Sequence, residues 1–287
     1  MTRGLVSACK RLKVSNMPFR LLHDNLLRYN GPSAFADVLQ PWLKVHSAEV
    51  ERLRSFKERT GNPIPTATVE ELWWLYAISR VFELLALKFQ GDCADQNSWS
   101  GPAISEEEFA KFARYLGLDV LSPNRYSPFY HEVVQLYSAA DADQSTNILR
   151  YHWPCLMLGT LLIMRAGVTL TADARVMAPG IADKSMLYWA YRRKNRPYQD
   201  LSHGWGGNSQ WRTSFRRDYC LGESFHFNVD GKFDLAGLQT VRRNHEGLTV
   251  EERKELVVNR CFVISSKPSD DLFPYDDRFS LSSVEAL

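Results

Sequence analysis

The chain has 287 residues, a formal net charge of +2 and a pI near 8.2. Its hydrophobic fraction of 45% and charged fraction of 24% are those of an ordinary globular protein, which excludes fibrous and disordered classes. So small a net charge does not argue for nucleic acid or a membrane as partner, and any binding by charge has to be local.

The first 23 residues carry Arg3, Lys10, Arg11, Lys13 and Arg20 and no acidic residue. That is the composition of an organellar transit peptide. The expectation taken here is the plainer one, a basic start to a cytoplasmic protein. The longest apolar stretch, Cys155 to Met164, falls short of the roughly 18 residues a membrane span needs. The five cysteines, Cys9, Cys93, Cys155, Cys220 and Cys261, include no C-x-x-C pair. They are expected to be mostly buried free thiols in a reducing compartment, with Cys220 the one candidate for reactivity because it follows a basic run.

Residues 1–120 read as helical. Phe19 to Tyr29 has helical apolar spacing and stops at Asn30-Gly31-Pro32. Ser33 can cap the next segment, whose apolar positions from Phe35 to Phe56 predict one long amphipathic rod. Thr68 with Glu71, and Ser105 with Glu108, are capping-box pairs opening two further helices. The first of these, Leu72 to Phe89, is apolar on nearly every side and is expected to be the central buried helix.

From about residues 119–125 onward the character changes, and residues 121–287 read as a mixed α+β part with a small antiparallel or mixed sheet. Phe129 to Tyr137 predicts a strand. Trp153 to Ala166 and Ser185 to Arg192 fit a buried helix or a strand equally. Ser224 to Asp230 alternates and ends at Asp230-Gly231, a hairpin signal. Thr249 and Glu252 cap a short helix, Val257 to Ser265 reads as a late strand, and the tail after Lys267 as an extended surface segment. The fold class is therefore α+β, with two parts that can share one core.

The densest piece is residues 188–219, which holds three of the eight tryptophans, seven arginines and lysines and the loop Gly204-Trp205-Gly206-Gly207. Trp and Arg together mark surfaces that grip something. Neither G-x-x-x-x-G-K-[ST] nor G-x-G-x-x-G is present, so the glycines do not make a nucleotide loop. Within the run His203 is the candidate general base. Trp205 and Trp211 are candidate pocket walls, Asn208 and Gln210 polar substrate contacts. Arg212 and Arg216 would share one helical face and hold an anionic group. Internal ion pairing of the arginines is the competing reading.

His131 and His226 complete the expected catalytic set, on strands facing the 200–218 floor. If Phe225 and Phe227 face the core, His226 faces away with Ser224 and Asn228. A divalent metal on His131, His203 and His226, with Glu132 or Asp230 as the carboxylate, is a conceivable cofactor, although the spacing matches no anchoring motif. His23, His46 and His245 read as structural. The leading functional expectation is an enzyme acting on a small polar or anionic molecule, by hydrolysis or metal-assisted oxidation. The alternative is a non-catalytic protein that captures a toxin, a protein partner or a nucleic acid through the Trp/Arg surface; nucleic acid is the less expected of these.

Overall fold

A computed structural model describes residues 18–59, 61–91, 99–139, 146–188, 190, 192–197, 210–237, 247–266 and 275–282. Among them are six α-helices and ten strands in two mixed sheets, an α+β fold with the helices first. No helix among the described residues is long and apolar enough to cross a membrane.

Helix α1 (Pro18–Leu27) buries Phe19, Leu22, His23 and Leu26. The long rod expected next is broken twice. Phe35–Leu39 is a π turn, with the Gln40 N–H bonding back to the Phe35 carbonyl, and α2 (Gln40–Val45) follows. Pro41 has no N–H to give to the preceding turn, so the ladder widens there instead of continuing at four-residue spacing. His46 then leaves the helical region at φ −114, ψ 42, its ring stacked on Trp42, and α3 (Ser47–Lys57) starts anew.

Both N-terminal capping boxes form, at Thr68/Glu71 opening α4 (Val69–Leu85) and at Ser105/Glu108 opening α5 (Glu106–Tyr115). Helix α4 is buried from Trp74 to Leu85 without a break, as its composition predicts, and runs into a short 3-10 turn at Ala86–Phe89. The core around α4 draws on α1, α3 and α5 and equally on Trp153, Leu158, Ile163, Trp211 and Phe215, so it extends across the helical and mixed parts.

The larger sheet has the order β1-β4-β5-β7-β8-β10-β9, formed by Asp119–Leu121, Cys155–Leu158, Leu161–Met164, Tyr219–Leu221, Ser224–Phe227, Asp277–Ser282 and Phe233–Asp234 respectively. The smaller one is β2-β6-β3 (His131–Ser138, Ala166–Ala172, Asn147–Trp153), with β2 parallel and β3 antiparallel to β6. A seven-stranded sheet exceeds the small sheet expected.

Four local expectations are corrected. Trp153 to Ala166 is neither one helix nor one strand: β4 and β5 form a hairpin about Gly159, whose φ of +60 permits the reversal. Asp230-Gly231 does not close a hairpin, because β9 pairs with β10 in parallel and not with β8. Gly231 is needed for a different reason, since a Cβ there would meet the Asp277 backbone at 2.7 Å. Val257 to Ser265 is no strand. Its first residues end α6 (Val250–Asn259), which opens with the expected Thr249/Glu252 box, and Arg260 at φ 62 stops the helix. The tail also contributes structure: β10 sits between β8 and β9. Its tie is the buried Asp277 carboxylate, which accepts from Arg253 Nε of α6 at 2.6 Å.

Candidate functional site

The β7–β8 hairpin turns at Gly222-Glu223, where Gly222 takes φ +56. Two-residue hairpin turns need such positive φ, and the turn fixes the register. Cys220 stands opposite Phe225 and Tyr219 opposite His226. With side chains alternating across the pleat, Phe225 and Phe227 go to the core and His226 to the other face, as the sequence reading has it. Asn228 does not stay exposed beside His226. It is buried at φ 52, and its side chain donates to the carbonyls of Tyr275 and Asp277, which holds the start of β10 against β8.

That clamp sets the pairing Ser280↔His226 and Phe279↔Phe227. Strand β10 alternates in the same sense: Phe279 and Leu281 pack on the core, while Arg278 and Ser280 are exposed. The outer face of β8–β10 therefore carries a cross-strand polar row. Its centre is the His226 Nδ1–Ser280 Oγ hydrogen bond at 2.9 Å. No described residue bonds His226 Nε2. Partial burial lowers the His226 pKa from its usual 6.5, so the imidazole is neutral at physiological pH. Arg278 lies two residues before Ser280, its Nε 3.6 Å from the Asp234 carboxylate with both side chains half exposed. That contact is an ion pair too long for a hydrogen bond.

This face forms the floor of an open groove of about 340 Å³, with Asn62, Pro63, Ile64 and Thr66 along its wall. Arg217 staples the wall to the sheet. It binds Asp230 through two contacts of 2.7 and 2.6 Å, and also donates to the Pro65 carbonyl and the Tyr219 hydroxyl. With these donors engaged, Arg217 shapes the groove.

No protein-family model, no curated protein and no solved structure matches this chain.

Of the expected site residues, His203, Trp205 and Asn208 lie outside the described residues, as does the side chain of Gln210. His226 lines the groove. His131 does not line it. That ring is buried in β2, with Nδ1 against Ser127 and Nε2 2.9 Å from the Tyr151 hydroxyl. Glu132 is committed elsewhere too: with Glu83 of α4 it flanks the buried Arg193 guanidinium. Among the described residues no three His, Cys, Asp or Glu side chains gather as metal ligands would, so His131, Glu132 and His226 do not form one set.

The basic run is largely internal. Trp211 is not a pocket wall but a core residue, edge-on to His23 at 5.1 Å with Arg20 over its ring. Arg212 and Arg216 do not share a helical face, since only a single 3-10 turn, Gln210–Arg212, forms there. Arg212 is exposed and lies over Trp73, whereas Arg216 is buried and donates to Asp218 at 2.7 Å. Arg260 donates to the same carboxylate at 2.9 Å. Burial works to raise the Asp218 pKa, but Arg216, Arg260 and Arg165 outweigh it and hold the carboxyl below its ordinary value. Arg196 donates to the carbonyls of Val133, Ala182 and Ser185. An arginine takes this much burial only when paired or hydrogen-bonded, as Arg196, Arg216 and Arg260 are.

Ser280 and Arg278 were missed because they fall in a tail read as an extended surface segment. The signal was present: Arg278 to Ser282 alternates polar and apolar residues, and a strand's period of two needs no more.

Proposed function

We propose that the protein is an enzyme that hydrolyses a small polar or anionic substrate in the groove over β8 and β10. The observation that carries this reading is the 2.9 Å hydrogen bond between Ser280 Oγ and His226 Nδ1, set in a groove beside Arg278. A hydroxyl within hydrogen-bond reach of an imidazole is the arrangement that activates a serine nucleophile. In the proposed reaction Ser280 Oγ attacks the substrate's electrophilic carbon or phosphorus, His226 Nδ1 takes the hydroxyl proton and passes it to the leaving group, and Arg278 stabilises the charge on the attacked group. Water then releases the product with His226 again as base.

A serine-directed fluorophosphonate tests the reading directly. Labelling confined to Ser280, abolished in Ser280→Ala and slowed at least about a hundredfold in His226→Gln, is the expected result, in line with the usual worth of a general base. An unlabelled wild-type Ser280 would sink the proposal. The rate of labelling should fall as pH drops below 6.5, because the acid limb follows protonation of an imidazole whose pKa lies under that value.

The competing reading, capture of a partner by the Trp/Arg run, loses support from the interior placement of Arg193, Arg196, Arg216, Arg217 and Trp211. Buried side chains present no surface to a partner. Free Cys155, Cys220 and Cys261 support a reducing setting such as the cytoplasm.

A further inference from the structure

A second cavity, of about 260 Å³, lies against the opposite face of the β7–β8 hairpin, between it and the chain leading into β2. Where Leu221 and His226 face the groove, Cys220 and Phe225 face this cavity. Its walls include Pro123 and the rings of Tyr130 and Phe225, set edge to face at 5.5 Å. The Tyr130 hydroxyl donates to Cys220 Sγ at 3.3 Å, so the polar atoms of that wall satisfy each other and leave an apolar surface. Aromatic walls at such angles favour a flat ring as occupant.

One charge stands on the lining. Arg125 is exposed and makes no hydrogen bond or ion pair with a described residue. That sets it apart from the arginines of the 193–217 run, which are nearly all tied down. A single guanidinium matches a planar monoanion by two parallel hydrogen bonds. A doubly charged phosphate would call for a second cation, and none lines the cavity.

We infer that this cavity is a ligand site for a small single-ring carboxylate, the ring held between Pro123, Tyr130 and Phe225 and the carboxylate by Arg125. The site is independent of the hydrolytic groove: it shares the hairpin but none of the groove's lining side chains. Cys220 supplies a built-in reporter, being half-buried on the wall, while Cys155 and Cys261 are buried.

The test uses benzoate as probe, with benzyl alcohol as the uncharged ring and acetate as the ringless anion, at fixed ionic strength. Alkylation of Cys220 by iodoacetamide is followed peptide by peptide, and binding in parallel by ligand-observed NMR. Benzoate is expected to protect Cys220 saturably and at about tenfold lower concentration than benzyl alcohol, the worth of one charge-assisted contact. Acetate should not protect. Arg125→Gln should bring benzoate to the level of benzyl alcohol, with protection in each variant measured against that variant's own alkylation rate without ligand. Absence of saturable benzoate protection overturns the inference. So does equal protection in Arg125→Gln, or a Cys220 that iodoacetamide cannot reach in the free protein. None of these outcomes depends on Ser280 or His226, so the hydrolytic reading stands or falls separately.

Discussion

His23 illustrates how one buried side chain ties stability to pH. It sits on α1 against Trp211 and is 4% exposed, and its pKa falls to about 4 through burial first and the Arg80 cation second. The unfolded chain takes up a proton on this imidazole near pH 6.5, the folded one only near 4. Between those values the unfolded state binds more protons, so stability declines as pH drops from 6.5 to 4 and is undiminished by this group above 6.5. The span corresponds to about 3 kcal/mol at about 1.4 kcal/mol per pKa unit. His23→Leu is expected to flatten the dependence of the urea midpoint on pH in this window, and an unchanged slope would refute the assignment. The sequence placed His23 among the structural histidines, but its pKa needed the positions of Arg80 and Trp211, which come from distant segments.

At the scale of elements, local chemistry is a reliable guide where the partners are near in sequence. All three capping boxes form as spelled, because an N-cap and its third helical residue meet whenever the helix starts there. Strand partners are a different matter, as β6 shows. The indole of Trp153 on β3 lies over Gly167 on β6, so that a Cβ at Gly167 would sit 2.4 Å from Cζ2, and Trp153 Nε1 donates to the Arg165 carbonyl. Gly167→Ala should destabilise the protein by about 1–3 kcal/mol through overpacking. Trp153→Leu in the same chain should recover part of that loss, since the two residues share one contact. Additive losses in urea titrations of the single and double variants would show that the indole is not the obstacle.

For the molecule as a whole, the core around α4 takes residues from α1 through Tyr219 without regard to the change of sequence character near residue 120. Helix α4 packs against β5, and α5 against β1, so neither part buries its apolar surface alone. Far-ultraviolet circular dichroism, which follows the helices, and tryptophan fluorescence, which follows Trp153 and Trp211 with the rest, are therefore expected to report one coincident thermal transition. Two separated transitions would mean that the parts fold as independent domains. The groove depends on the same integration: its floor comes from β8 and β10, its wall from residues 62–66, and Arg217 joins them.

The amino-acid sequence by itself determined the α+β class, the starts of its capped helices, the burial of α4 and the outward face of His226, because each depends on periodicity or on groups within four residues of one another. Tertiary structure decided the uses of the Arg-rich run, the pairing of β10 beside β8 and with it the Ser280–His226 contact. An arginine has the same formula on a surface as beside a buried Asp218, and only long-range packing selects between water and a carboxylate as its partner. A strand likewise carries its alternation in sequence but not its neighbour, since ladder bonds run between backbones that are identical everywhere along the chain.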